Sequence, residues 1–399
     1  MTSQSQSVDT TKASSISVDL KNSTIFVSII NYRDIDGQFT ILDLFRKAKN
    51  PKRVFVGYCL QYNPKEDSDC VSHFNANNPN VRALFVNYTN ARGPIMARHW
   101  VQTNLYNNES FYLQIDCHMR FVEHWDDILL RMWHDLQDDM AILTTYPNEF
   151  DTEYLSTLSS LQNKFAENKE EKTQQESSQK QNPLPKDWDG SIDMSRLDKR
   201  VALLCAKGFD QKDGFLRITG KLLHKNPEKP LRSLFWAAGF SFSRAHVIQN
   251  VPYNDDLPCL FFGEESVMAM RLFVNGYNFY CPNECVIYHL WKRSNASIRK
   301  KTWRELFEGA NEQEMHDLEL QSQQAAQKLL ADSKQLQKHE MKRSIADFER
   351  YCGINFKEKC VLWKDSYWGG IPPQKKEQMF EEFHHKKKLT KSLTLLILL

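Results

Sequence analysis

The segment Tyr112-Leu113-Gln114-Ile115-Asp116-Cys117-His118-Met119-Arg120-Phe121 carries an apolar stretch into a carboxylate and, two residues on, an imidazole. On a β-strand, residues i and i+2 point to the same side. Asp116 and His118 could therefore bind one cation at the strand's carboxyl end, where open α/β sheets hold their ligands. Oxygen plus imidazole suits Mn2+ or Mg2+, with Zn2+ also compatible. Taken alone, this spacing equally describes a strand end facing water. A second imidazole, His289, follows another apolar stretch, Val286-Ile287-Tyr288. Upstream of it, Phe262-Gly263-Glu264-Glu265 sets paired acids at the start of a run of helical character, Ser266 to Phe273. Carboxylates are favoured at helix N-termini, so Glu264 and Glu265 either cap that helix or hold a bound hydroxyl. Asp255 and Asp256 lie just before this block, in a stretch that also reads as a turn. Cys117 is expected on the opposite face of its strand and is not read as a ligand.

These groups need a scaffold, and the first half of the chain supplies its pattern. Short β-branched or aromatic runs at 25–30, 53–58, 81–86, 110–115 and 141–144 read as buried strands. Between them, 40–49, 94–106 and 125–137 read as helices. Strand and helix alternating at this spacing predict an α/β sheet with parallel crossovers. Residues 161–187 are dominated by Gln, Glu, Lys, Ser and Asn and predict a flexible insertion. Residues 1–21, rich in Ser, Thr and Gln, read as a disordered leader with no signal peptide. From 308 to 350 the composition favours one or two long helices. Their irregular apolar stripe predicts packing against the rest of the protein rather than a coiled coil.

Composition excludes several classes. With 41% hydrophobic and 12% aromatic residues in 399, the chain can bury a core and is not wholly disordered. Its 52 basic and 50 acidic residues argue against nucleic acid as a partner. Nine cysteines without a repeated CxxC pattern read as free thiols in a reducing compartment, hence the cytoplasm. No stretch is long enough to span a membrane. The even total conceals a split. From Trp291 onward 21 basic residues face 15 acidic, a net of +6, leaving 31 against 35, a net of −4, in the first 290.

Five motifs together carry a family resemblance. They are Val27 to Asp34 (a strand ending in Tyr32-Arg33-Asp34), Gly93-Pro94-Ile95-Met96-Ala97-Arg98, Ile115 to Phe121, Phe262 to Glu265, and His289-Leu290-Trp291-Lys292-Arg293. In order and spacing they resemble the GT-A-fold GlcNAc-transferases that modify hydroxyproline on the adaptor subunit of SCF-type ubiquitin ligases. The chain is more distantly similar to the polypeptide GalNAc-transferases. The resemblance covers about residues 24–295 outside the 161–187 insertion. It implies a mixed α/β GT-A domain over 22–295, a sheet flanked by helices, followed by a helical, basic C-terminal extension over 296–399.

The resemblance also implies roles. Asp116 and His118 become ligands of a divalent metal, Mn2+ or Mg2+, on the diphosphate of UDP-GlcNAc, with His289 as the third. Tyr32 stacks on uracil, Asp34 accepts from uracil or ribose, and Arg33 pairs with phosphate. Arg92 and Arg98 flank the Gly-Pro segment, and Arg98 faces the nucleotide or orients the metal-site carboxylate. Glu264 binds sugar hydroxyls or the acceptor, with Glu265 and then Asp256 as further candidate acids. Arg293 touches the diphosphate and Trp291 packs under the site. The implied activity is transfer of GlcNAc, with retention of configuration, to a cytosolic protein. The alternative is an inactive paralogue acting as a UDP-sugar or protein-binding module.

Overall fold

The computed structural model describes residues 18–150, 189–291, 302–308, 312–332 and 341–380. The expected insertion at 161–187, most of the 1–21 leader, Arg293 and the lysine-rich stretch 386–391 lie outside the described residues.

The chain begins with β1 (Ile25–Tyr32), α1 (Asp36–Lys47), β2 (Val54–Tyr62), β3 (Val81–Asn87), α2 (Gly93–Leu105) and β4 (Phe111–Asp116). It continues through β5 (Met119–Phe121), α3 (Trp125–Asp135), β6 (Ala141–Thr144), β7 (Asn148–Glu149), β8 (Ala202–Phe209), β9 (Leu216–Leu222), β10 (Leu231–Arg232) and β11 (Phe240–Arg244). Then follow α4 (His246–Asn250), α5 (Glu264–Val274), β12 (Asn278–Cys281), β13 (Ile287–His289), α6 (Glu312–Ala331) and α7 (Ile345–Cys352). Eight strands form one sheet in the order β10-β12-β6-β11-β4-β1-β2-β3. Strands β1 to β4 are mutually parallel, as the alternating pattern predicts. The sheet is mixed because β11 enters antiparallel between β4 and β6, and β10 runs antiparallel to β12.

Strand β1 shows why the sheet is covered on both faces. Its run Ile-Phe-Val-Ser-Ile-Ile is apolar throughout rather than alternating, the mark of a parallel strand with no solvent side. Ile25, Val27 and Ile29 face a core shared with Leu44 of α1 and Leu129 and Trp133 of α3. Phe26 faces the other core, with Val101 of α2 and residues of α5. That second core also takes in Ala326 and Leu330 of α6 and Ile345, Phe348 and Cys352 of α7. The helices beyond residue 308 are thus packed into the body of the protein. They are shorter than the composition suggests, ending at Ala331 and Cys352.

A small second sheet, β5-β13-β7, stands at the carboxyl ends of the main strands. It matters for the site because β13 pairs antiparallel with β5, with His289 opposite Met119. No two of the nine cysteines are disulfide-bonded. Among the described residues no helix is long and apolar enough to cross a membrane.

Candidate active site

A cavity of about 540 Å3 opens where β1 and β4 end and the small sheet begins. One wall is Asn31, Tyr32 and Asp34 beyond β1, with Gln61 at the end of β2. The floor is Asp116, His118 and His289, and the opposite wall is Glu264 and Glu265 at the first turn of α5.

Asp116 is the last residue of β4, and the backbone bends at Cys117 and His118 before β5 starts. The pairing of β13 with β5 carries His289 to the same point, and the backbone N–H of Leu290 donates to the His118 carbonyl at 3.1 Å. The two imidazole Nε2 atoms lie 3.0 Å apart with their rings nearly perpendicular, and His289 Nε2 is 3.3 Å from Asp116 Oδ2. One ligand atom from each of the three lies within 4.8 Å of those of the others. Two ligands at right angles on an ion about 2.1 Å from each are separated by about 3.0 Å. One carboxylate and two imidazoles converging at that spacing fit a divalent transition-metal ion, Mn2+ better than Mg2+, which prefers an all-oxygen shell.

The surroundings orient these groups. Asp34 Oδ2 lies 3.5 Å from His118 Nδ1, behind the face that meets His289, as second partners of metal-binding histidines commonly do. On the far side of Asp116, Arg98 Nη2 reaches Oδ1 at 3.2 Å, and Arg98 Nε reaches Glu264 Oε1 at 3.1 Å. Burial alone pushes the Asp116 carboxyl up. The hydrogen bond from His289 and the Arg98 charge more than reverse it and hold the group ionised, well below the usual carboxylate range. Gly239 completes the cradle. The register of β11 on β4 pairs Phe240 with Ile115, so Gly239 sits opposite Asp116, and a Cβ there would lie 2.8 Å from Oδ2. The small residues of Trp236-Ala237-Ala238-Gly239 are what let this backbone approach the carboxylate.

The two glutamates differ in setting. Glu264 is buried and accepts from the Tyr253 hydroxyl at 2.7 Å as well as from Arg98. Burial raises its carboxyl despite those partners. Glu265 accepts from Tyr146 Oη at 2.6 Å and from the Ala238 backbone N–H at 3.1 Å. Burial, aided by the charges of Glu264 and Asp116, pushes it up to about 7.

Several expected residues are placed elsewhere. Arg33, expected on phosphate, is buried outside the cavity lining. Its Nε and Nη2 clamp Asp67 at 2.7 and 2.9 Å, with Glu66 and Glu305 as further partners. A buried guanidinium takes the carboxylates its own fold presents, and the left-handed backbone at Arg33 (φ 50°) turns it from the cavity. Arg92, also outside the lining, donates to the Thr89 and Ala91 carbonyls at 3.0 and 2.9 Å and pairs with Glu314 of α6 at 3.4 Å. Asp256 is exposed, away from the cavity, in the loop before Leu257. Arg293 lies outside the described residues. Cys117, expected on the far face, instead comes within 3.3 Å of His118 Nδ1 and lines the cavity. Strand alternation stops at Asp116, so the two-residue rule no longer governs it. Trp291 packs its ring 3.9 Å from that of His289 and donates to the Pro147 carbonyl at 2.8 Å.

Other groups were not anticipated. Arg120, inside the Asp116 motif, makes a fully buried bidentate pair with Asp36 at 2.7 and 3.1 Å, tying the metal loop to the start of α1. Its place in the motif was the only clue. Tyr146 and Tyr253, which set the glutamates, carry no spacing signal. Thr302 and Trp303 line the cavity from a segment far beyond the motifs.

A deep cavity at the strand ends, a site for a divalent ion and buried carboxylates define a ligand-handling enzyme centre on a mixed α/β sheet. The sequence matches the family model described as Glycosyltransferase (GlcNAc) over residues 24–78, 73–167 and 184–360, and the chain belongs to that family. The match runs through α6 and α7, beyond the 24–295 range of the five motifs. No curated protein matches the sequence. Among solved structures, GalNAc-T7 with UDP, GalNAc and Mn2+ is similar at 13% identity and a TM-score of 0.47, over 84% of this chain and 55% of that one. This chain thus spans little more than half of that neighbour. The mannosyltransferase PcManGT of Pyrobaculum calidifontis, with GDP-Man and Mn2+, is similar at 10% identity and a TM-score of 0.40, over 79% of this chain and 77% of that one. S. aureus TarS with UDP is similar at 10% identity and a TM-score of 0.43, over 89% and 77%.

Proposed function

We propose that the protein is a metal-dependent, retaining N-acetylglucosaminyltransferase. It moves GlcNAc from UDP-GlcNAc to a hydroxyl of a cytosolic protein, acting in the cytoplasm. The observation that carries this reading is the convergence of Asp116, His118 and His289 at the floor of the cavity. A divalent cation held there supplies electrostatic stabilisation of the charge that develops on the diphosphate leaving group.

The chain's own residues do the rest. Tyr32 offers its ring, and Gln61 its amide, to the nucleoside at the end of β1, while the Asn31 amide is taken up by Asp34 and Tyr58. Arg98 keeps Asp116 ionised and holds Glu264 in the opposite wall. Glu264 and Glu265 face the sugar and the incoming hydroxyl. Each accepts two hydrogen bonds from the protein, which fixes both carboxyls as binding groups and leaves neither as a mobile nucleophile. Retention then follows from front-face attack. The acceptor oxygen bonds to the anomeric carbon on the side from which UDP departs, and its proton passes to the leaving phosphate oxygen. The mouth of the cavity is rimmed by exposed Phe261, Phe262 and Trp291, where an acceptor must approach. Hydroxyproline on an SCF-type adaptor is proposed as that acceptor on the family resemblance of the five motifs alone.

The test is Mn2+-dependent UDP binding and hydrolysis of labelled UDP-GlcNAc by the wild type and by Asp116→Ala. The wild type should do both and the variant, still folded, neither. Full activity in the variant removes the metal assignment. Incubation with a hydroxyproline-bearing protein and its unmodified proline counterpart tests the acceptor, and equal labelling of the two refutes it.

A further inference from the structure

The segment 302–308 lies outside all five motifs, yet it closes one side of the cavity. Thr302 and Trp303 line it, and Glu305 reaches across to the end of β1. Glu305 Oε1 accepts from the Tyr32 hydroxyl at 2.6 Å and from Arg33 Nη1 at 2.9 Å.

The second of these contacts serves Arg33 as well, because Glu305 is the acceptor that its Nη1 meets. Asp67 already takes Nε and Nη2 in a buried bidentate pair, and Glu66 adds a further contact to Nη2 at 2.7 Å. One guanidinium thus faces three carboxylates, and Asp67 alone balances its charge. The segment has anchors of its own besides Glu305. Phe307 is buried against Cys259 and Met315, and Arg304 Nη1 pairs with Glu319 of α6 at 2.9 Å. Besides its contact with Arg33, Glu305 gives the Tyr32 hydroxyl its acceptor.

Tyr32 is the last residue of β1, in register with Gln61, and both line the cavity. Its backbone is held by the sheet and its hydroxyl by Glu305, so the ring is fixed at both ends. A side chain already locked in its bound orientation loses less entropy when a ligand stacks on it.

We propose that Glu305 is a positioning residue for the donor nucleotide: by accepting the Tyr32 hydroxyl it presets the ring against which the nucleoside packs, making the segment 302–308 part of the donor site. This rests on the reading of the cavity as a UDP-sugar site.

The experiment measures UDP affinity in the presence of Mn2+, the KM and kcat for UDP-GlcNAc hydrolysis, and the melting temperature, all in the full chain. Glu305→Ala should weaken UDP binding and raise KM about five- to tenfold, the scale of losing one ordinary hydrogen bond, with kcat changed less than about twofold. Glu305→Gln, whose amide oxygen still accepts from Tyr32, should bind UDP like the wild type. Tyr32→Phe should weaken binding as Glu305→Ala does, and the double variant should be no weaker than either single one, because both remove the same contact. Unchanged UDP affinity in Glu305→Ala, alongside normal binding by the wild type, overturns the inference alone. Equal loss in the Ala and Gln variants with a parallel fall in melting temperature overturns it in favour of a purely structural role. Failure of the wild type to bind UDP overturns the donor-site reading and this inference with it.

Discussion

Glu265 couples the stability of the fold to pH in a direction opposite to that of most carboxylates. Its carboxyl is raised from 4.5 to about 7 by burial, with the neighbouring charges of Glu264 and Asp116 adding to the rise. Between those values the folded protein keeps a proton that the unfolded chain has released. The unfolded state then binds fewer protons, so stability falls as pH rises from 4.5 through 7. The full gap corresponds to about 3 kcal/mol, an upper figure because the cavity admits water to the carboxyl. Glu265→Gln isolates this effect, since the amide fits the same contacts. Its oxygen accepts from the Ala238 N–H, and its NH2 donates to Tyr146 Oη, which can act as acceptor. The variant and wild type should be equally stable near pH 5, and the variant more stable near pH 8 by up to about 3 kcal/mol. With an unfolding entropy of about 2.1 cal/mol/K per residue over 399 residues, that is a rise of about 4 °C in melting temperature. Urea unfolding and calorimetry at both pH values, with EDTA to keep the cavity free of cations, read it directly. A variant less stable than wild type near pH 8, or offset equally at both pH values, would refute the reasoning.

Three further outcomes follow from the same geometry. Arg98→Met leaves the carboxylates of Asp116 and Glu264 facing each other without their guanidinium, and urea unfolding should show a loss of about 3–5 kcal/mol. Adding Glu264→Gln should restore part of it, and no restoration would count against the bridge as the cause. Gly239→Ala places a Cβ against Asp116 Oδ2. Mn2+-dependent UDP binding should weaken about tenfold while the melting temperature moves little, and unchanged binding would argue that Asp116 is not held where the backbone puts it. Phe262→Ser removes a half-exposed ring from the cavity mouth, where it stacks under Arg217 at 3.7 Å. The KM for a protein acceptor should rise about tenfold, with UDP-GlcNAc hydrolysis unchanged, and a matching loss of hydrolysis would move Phe262 to the donor side.

Local chemistry made much of the scaffold legible in the sequence. The apolar run of β1 reads as a strand buried on both faces, and the helical spacing around 94–106 and 125–137 shows which segments cover it. Asp116 and His118 stand out because a strand's end has little reason to carry an acid and an imidazole unless water or a cation meets them. The paired glutamates after Gly263 are likewise visible as a helix start. None of this says how distant segments meet. Strand β11 enters antiparallel beside β4, which brings Gly239 to the Asp116 carboxylate, and no local pattern encodes that order. Arg33 looked like a phosphate ligand because arginine chemistry suits phosphate, but Asp67 and Glu66 had already claimed it in the folded chain. Glu305 sits in a stretch expected only as part of a helical, basic extension, and its contact with Tyr32 exists because packing against α6 carries it back over β1. The residue types and strand ends that could hold a cation and a sugar nucleotide were therefore set by the sequence alone. Which of them meet was decided by strand pairing across 171 residues from His118 to His289, because a contact between distant segments has no local energetic signature until the chain folds around it.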